Sequence, residues 1–171
     1  MVRTMALGRL FKAAGDGDIA LVRRLVRLGA DVKERDLIGG TVLHWAADHG
    51  QVDVMLALVA LGADKEAVDA AGLRPLHWAA VAGRLAAVRA LLYLDAAVDA
   101  QTHDGRTAHA ISLKRGHAHV AELLEAAAQS RDTEAAARSD SSAGASSAAP
   151  APSKTAAFST MDDIKGKGPA R

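Results

Sequence analysis

The sequence predicts an all-α solenoid of four helix-turn-helix units with a disordered C-terminal tail, and three observations carry this prediction. Glycines recur every 33 residues, at Gly17, Gly50, Gly83 and Gly116. The decapeptides TVLHWAADHG and RPLHWAAVAG lie one such period apart. Half of the 171 residues are apolar but only 3% are aromatic, which favours thin layers of closely packed helices over one thick core. A constant period of this length is typical of stacked repeats.

Each unit is predicted to contain two short helices and a turn. In the second unit, Thr41 precedes an apolar run that Gly50 ends, which indicates the first helix. Apolar residues then recur at spacings of three and four from Val52 to Val59, which indicates the second helix, and Gly62 closes it. Helices this short are not stable alone, so each unit must bury its apolar face against its neighbours.

The array is predicted to span residues 1–130 and to begin and end within the chain. Charged residues mark both ends: Arg24 and Glu125 occupy positions that most other units fill with alanine, valine or leucine. In the third unit Asp95 replaces the turn glycine, which predicts a weaker turn because glycine adopts positive φ at less cost. The units are residues 3–35, 36–68, 69–101 and 102–130.

On these segments the chain resembles the ankyrin-repeat family across residues 3–130. The second unit carries TVLHWAA and LGAD, and the third carries RPLHWAA and LDAAVD. The fourth unit has TAHAISL, where Ala110 replaces the histidine. The resemblance implies a non-enzymatic array that binds protein partners through its turn tips and the exposed sides of its first helices.

The repeated histidines and tryptophans are interpreted as structural residues. A ring nitrogen of His44 or His77 can bond a threonine hydroxyl or a turn backbone group, a role that the resemblance also implies. Trp45 and Trp78 are expected to fill the seam between units, with partial exposure to a partner as the alternative. A catalytic or metal-binding role for the histidines would need partner residues, and no motif supplies them.

No other pattern indicates catalysis, a metal or a cofactor. Cysteine is absent, and the chain has no glycine-rich phosphate loop and no G-x-S-x-G motif. Four histidines of the last unit lack the spacing of a zinc site: His103, His109, His117 and His119. The protein is therefore predicted not to be an enzyme.

A strip of variable residues is the predicted partner-binding surface, and we call it the recognition strip. Its middle is apolar and its far end is charged, which is the usual anatomy of a protein interface. The alternative is that scattered exposed apolar residues are ordinary. The recognition strip consists of Leu37, Ile38, Trp45, Asp48, His49, Leu73, Arg74, Trp78, Val81, His103, Arg106, Lys114 and Arg115.

Charge varies between units. Residues 1–35 have a net charge of +4 and residues 36–68 a net charge of −4, while the later units balance. Neighbouring layers of opposite sign attract one another, which is the structural interpretation. The alternative is that Arg23, Arg24 and Arg27 meet an acidic partner.

Residues 131–171 are predicted to form a disordered tail rich in serine, alanine and proline. Within it Phe158, Met161 and Ile164 lie three apart, so a short helix could present them to a groove, although chance placement explains the spacing as well.

The function predicted from these observations is that of an adaptor, scaffold or inhibitor. The alternative is a detached regulatory or substrate-recruiting module, similar to the ankyrin parts of acyl-CoA-binding proteins or palmitoyltransferases. The net charge of +1 argues against nucleic acid as a partner, and no apolar stretch is long enough for a membrane span. We expect a monomer in the cytoplasm or nucleus that uses no cofactor.

Overall fold

The computed structural model describes residues 2–140, whose regular elements are all α-helices. Within this range β-type pairing is limited to two isolated antiparallel bridges, Arg35 with Thr41 and Gln101 with Thr107. The prediction of an all-α solenoid is therefore confirmed. The helices are α1 (Val2–Asp16), α2 (Ile19–Arg27), α3 (Val42–His49), α4 (Val52–Ala60), α5 (Pro75–Val81), α6 (Leu85–Tyr93), α7 (Ala108–Arg115) and α8 (Ala118–Asp140).

The helices stack in two layers. The first helices of the units form one layer in the order α1, α3, α5, α7, and each packs against the next. The second helices α2, α4, α6 and α8 form the other layer in the same way. Each first helix also packs against the second helix of its own unit. No helix of residues 2–140 combines the length and the hydropathy needed to cross a membrane.

The core follows the 33-residue period. One leucine of each second helix is buried, at Leu25, Leu58, Leu91 and Leu124. Burying a leucine side chain contributes about 1.5–3 kcal/mol, so a single column of four stabilises the stack substantially. Small residues let the first helices approach closely, and the alanine pairs of units one to three are buried: Ala13 and Ala14, Ala46 and Ala47, Ala79 and Ala80.

Residues with positive φ end the helices where the sequence predicts. Gly50 caps α3 with φ 75°, and Gly62 follows the end of α4 with φ 92°. The corresponding residue of the third unit, Asp95, has φ 59° and is the one non-glycine residue of the described range with positive φ. A residue with a Cβ atom is strained in this conformation.

Helix α8 continues to Asp140, ten residues past the predicted end of the array at residue 130. Two causes are visible. Its last part lacks glycine and proline and is rich in strong helix formers such as alanine. In addition, the Arg131 guanidinium donates to the Asp95 carboxylate at 2.7 Å, which ties the extension to the third unit. The rest of the predicted tail, with Phe158, Met161 and Ile164, lies outside the described residues.

Side-chain hydrogen bonds connect successive units at a repeated position. The residue before each second helix in units two to four donates to a backbone carbonyl of the preceding unit's first helix or its C-terminus. These bonds satisfy carbonyls at helix ends that lack intrahelical partners. They join Gln51 to Gly15 (2.9 Å), Arg84 to Asp48 (2.9 Å) and His117 to Val81 (3.1 Å).

Candidate binding surface

The turn between α2 and α3 presents two apolar side chains to solvent. Leu37 is fully exposed and Ile38 is more than half exposed. The Asp36 carboxylate accepts hydrogen bonds from the Ile38 and Gly40 amides at 3.0 and 2.8 Å, which fixes the turn. The Ile38 carbonyl accepts from the Ala70 amide of the next turn at 3.0 Å. Hydrogen bonds within the turn and to the next turn therefore fix the backbone that carries these two side chains.

The next turn is built the same way. The Asp69 carboxylate accepts from the Ala71 and Leu73 amides at 2.9 and 2.8 Å. The Ala71 carbonyl accepts from the amide of His103, an exposed residue of the third turn, at 3.2 Å. Three successive turn tips are thus joined into one backbone row, along which Leu73 is half-buried.

Each tryptophan is anchored by the aspartate of its own turn. The Trp45 indole N–H donates to the Asp36 carboxylate at 2.7 Å, and the Trp78 indole N–H donates to that of Asp69 at 2.9 Å. Both tryptophans are half-buried. Sequence reasoning missed these bonds, although the nine-residue separation of aspartate and tryptophan, repeated after 33 residues, is visible in the chain.

The tryptophan rings pack against the preceding unit, as the seam interpretation predicts. Trp45 makes an edge contact with Phe11, with ring centroids 5.8 Å apart, and Trp78 makes one with His44 at 5.3 Å. The other side of Trp45 stacks on His49 at 6.0 Å. One part of each indole therefore fills the seam while another part stays accessible on the first-helix layer.

His44 joins two units through its two ring nitrogens. Its Nδ1 accepts from the Thr41 amide at 3.0 Å and lies 2.9 Å from the Thr41 hydroxyl. Its Nε2 lies 3.1 Å from the Leu73 carbonyl, to which it donates. These partners require the neutral ring with its proton on Nε2. His77 repeats the arrangement with the Arg74 amide (3.1 Å) and the Ala100 carbonyl (3.0 Å).

Burial sets the protonation of both rings. Desolvation lowers the pKa of His44 and of His77 below the ordinary value of 6.5, and the hydrogen bonds to the carbonyls offset this only partly. The side chains are completely buried and fully engaged with backbone partners. The structural interpretation of these histidines is therefore confirmed by their geometry.

A cleft of about 350 Å³ opens on the first-helix layer between α5 and α7. Five residues of the recognition strip line it, namely Leu73, Val81, Arg106, Lys114 and Arg115. The remaining lining comes from Ala71, Thr102, Asp104 and Ile111.

A second, smaller cleft of about 220 Å³ lies between α1 and α3. Two strip residues, Trp45 and His49, form one wall. Phe11, Lys12 and Asp16 contribute to the opposite wall. The two clefts lie on the same layer of helices, and α3 and α5 connect them.

The other residues of the recognition strip differ in how far their side chains already bond to groups within the array. The Arg74 guanidinium donates to the Glu66 carboxylate at 2.9 Å, and that carboxylate also accepts from the Ala97 amide at 2.8 Å. Arg74 is thereby engaged within the stack. Asp48 and His49 lie at the end of α3, with the His49 Nδ1 hydrogen-bonded to the Trp45 carbonyl at 3.0 Å.

The arginines considered for an acidic partner lie on a different layer. Arg23, Arg24 and Arg27 are exposed on α2, which belongs to the second helices. They are therefore separate from the recognition strip.

The histidines of the last unit do not converge. His117 bonds the Val81 carbonyl, and His119 lies 3.7 Å from the Glu122 carboxylate on the outside of α8. Among the side chains of residues 8–133, no three histidine, aspartate or glutamate side chains are grouped as a metal ion would require.

Comparison with known proteins identifies the repeat. The family model of ankyrin repeats, comprising three copies, matches residues 10–102. The matched segment runs from α1 to the beginning of the fourth unit and contains both tryptophan-aspartate pairs. No curated protein matches the chain significantly.

Proposed function

Since the chain belongs to the ankyrin-repeat family, whose arrays are generally protein–protein interaction modules, we propose that it binds a protein segment along the recognition strip. It then acts as a non-enzymatic adaptor, scaffold or inhibitor. The observation that carries this proposal is the exposure of Leu37 and Ile38 on a turn whose backbone is already fixed. Covering large apolar side chains with a partner removes them from water, which lowers the free energy and favours binding.

The fixed turns also reduce the entropic cost of association. The carboxylates of Asp36 and Asp69 and the bonds between successive tips hold the backbone before any partner arrives. Little ordering of the array is then needed on binding, which favours affinity for a given contact area. The exposed apolar side chains of the first turn and the charged residues Arg106, Lys114 and Arg115, which lie two turns further along the same strip, together have the composition of a protein interface.

The test is capture of a partner by variants of the full chain. In the strip variant, Leu37, Ile38 and Leu73 are replaced by serine. In the matched control, Leu28→Ser and Leu61→Ser remove exposed leucines at the ends of α2 and α4, outside the strip. Affinity purification with quantitative mass spectrometry should recover a protein with the wild type and the control but not with the strip variant.

Two further measurements complete the test. Far-UV circular dichroism should show equal helicity in all three proteins, so that loss of capture reports recognition and not unfolding. Comparison with a chain ending at Asp140 assigns the partner to the array or to residues 141–171. Undiminished capture by the strip variant would contradict the proposal.

A further inference from the structure

The fourth unit lacks the residues that occupy the seam in units two and three. One period after Asp69 the chain has Thr102, and one period after Trp78 it has Ile111. Thr102 uses its hydroxyl to accept from the Arg106 amide at 3.2 Å. The aspartate-tryptophan pair of the earlier units is therefore absent from the fourth.

The turn facing this position is altered as well. In the earlier seam the Trp78 ring lies against Gly40, where a Cβ atom would come within 3.2 Å of the indole. One period later Leu73 stands in place of that glycine. A leucine from the turn and an isoleucine from α7 thus replace a glycine and an indole, and the cleft of about 350 Å³ lies between them.

The floor of the cleft is apolar. Ile111 is buried, and Leu73 and Val81 are half-buried around it. A cavity of this size is at the lower end of the range for ligand pockets and accommodates one or two large apolar side chains.

The rim of the cleft is basic. Lys114 and Arg115 are exposed at the end of α7, and neither makes an ion pair with a side chain of residues 8–133. Arg106 pairs with Asp104 at 2.5 Å, which leaves two positive charges uncompensated at the rim. Cations at a helix C-terminus also interact favourably with the helix dipole, but that interaction does not require an open apolar floor beside them.

We propose that this cleft binds a partner-protein segment in which one large apolar side chain is flanked by carboxylates. The apolar side chain enters between Val81 and Ile111. The carboxylates beside it meet Lys114 and Arg115, whose charges are uncompensated, while Arg106 already pairs with Asp104. This inference rests on the proposed function and specifies the chemistry of the bound segment.

The combination of floor and rim selects this chemistry. A wholly acidic ligand would leave the apolar floor in contact with water, and a wholly apolar ligand would leave the cations without partners. The small number of cations and the net charge of +1 do not provide the extended positive field that nucleic acid requires.

The experiment measures binding of defined peptides to the full chain by fluorescence anisotropy. The probes are labelled peptides GDEXGDEG in which X is leucine, isoleucine, methionine, phenylalanine or tryptophan. The controls are GDEGGDEG, which has the charge without the apolar residue, and GKKLGKKG, which has the reverse charge. We expect saturable binding of at least one probe at a salt concentration that screens distant charges, and at least tenfold weaker binding of both controls.

Two variants place the interaction in the cleft. Ile111→Trp fills the cleft with the side chain that units two and three carry at the same position, and far-UV circular dichroism checks that the fold is retained. Lys114→Glu with Arg115→Glu reverses the rim. Each should weaken binding at least tenfold. The matched control, Arg23→Glu with Arg27→Glu, makes the same charge change on α2 and should alter binding less than twofold.

Each outcome supports or overturns the inference. It is overturned if no probe binds saturably up to about 1 mM, a range that covers weak peptide recognition. It is also overturned if GDEGGDEG binds as well as the probes, or if both cleft variants bind like wild type. One outcome distinguishes this inference from the proposed function. If a partner is captured by Ile111→Trp but not by the strip variant, the proposed function stands and this inference alone is refuted.

Discussion

Replacing His44 with alanine tests the bond network that joins two units. The substitution leaves the buried Thr41 amide and the Leu73 carbonyl without their ring-nitrogen partners. An orphaned buried group costs about 1–3 kcal/mol. The fully buried Thr41 amide is orphaned, whereas the Leu73 carbonyl keeps the hydrogen bond from the Asp69 amide at 2.9 Å, so we expect about 1–3 kcal/mol, before any cost of the void left by the imidazole. Because domains are typically stable by about 5–15 kcal/mol, this loss is large.

The same variant should change the dependence of stability on pH. Burial lowers the pKa of His44 and His77 in the folded protein, so the unfolded chain takes up protons that the folded chain does not. Their stabilisation is fully present above the unfolded pKa of about 6.5 and is lost as pH falls below it. Each histidine can contribute a slope of up to about 1.4 kcal/mol per pH unit, and His44→Ala should remove one of the two contributions.

Urea denaturation followed by circular dichroism, repeated between pH 7.5 and 5.5, measures both effects. His49→Ala is the matched control because that ring is exposed, and it should cost less than about 0.5 kcal/mol. A cost below about 1 kcal/mol for His44→Ala, or an unaltered slope, would refute the assignment of this ring as a neutral connector between units.

Substitutions at two further positions test other parts of the stack. Asp36→Ala removes the acceptor of the Trp45 indole and of two turn amides, so we expect a loss of about 2–4 kcal/mol and a red shift of tryptophan emission; unchanged stability would contradict the anchoring role. Asp95→Gly relieves a positive φ of 59° and should stabilise the protein by about 0.5–1 kcal/mol, because the exposed pair with Arg131 is worth little. Asp95→Ala keeps the strained backbone and loses the carboxylate, so it should instead lower the free energy of unfolding. An equal change in that free energy for both substitutions would show that the carboxylate matters more than the backbone conformation.

The fold was predictable because every unit repeats the same local signals. Gly50 and Gly62 marked helix ends, and the apolar spacing marked the faces that pack. The extension of α8 was not predictable from the period, since its residues no longer repeat. It depends mainly on helix propensity, and the exposed pair that Arg131 forms with Asp95, residues that the sequence separates widely, contributes little.

The structural role of His44 and His77 was also predictable, but their partners in the next unit were not. The same holds for the indole anchors: the pairing of Asp36 with Trp45 was present in the spacing, yet a carboxylate nine residues before an indole does not by itself indicate a bond. Only the turn geometry brings the two groups to 2.7 Å.

The sequence by itself determined the length of the repeat unit, its two helices, the number of units and the residues that pack between units, because these interactions are the same in each repeat. The tertiary structure alone decided that Leu73 and Ile111, one period removed from a glycine and a tryptophan, leave an open cleft beneath Lys114 and Arg115. The reason is physical. A period specifies what each unit shares, whereas a cleft arises where units differ, and its shape depends on how side chains from neighbouring units meet across the stack.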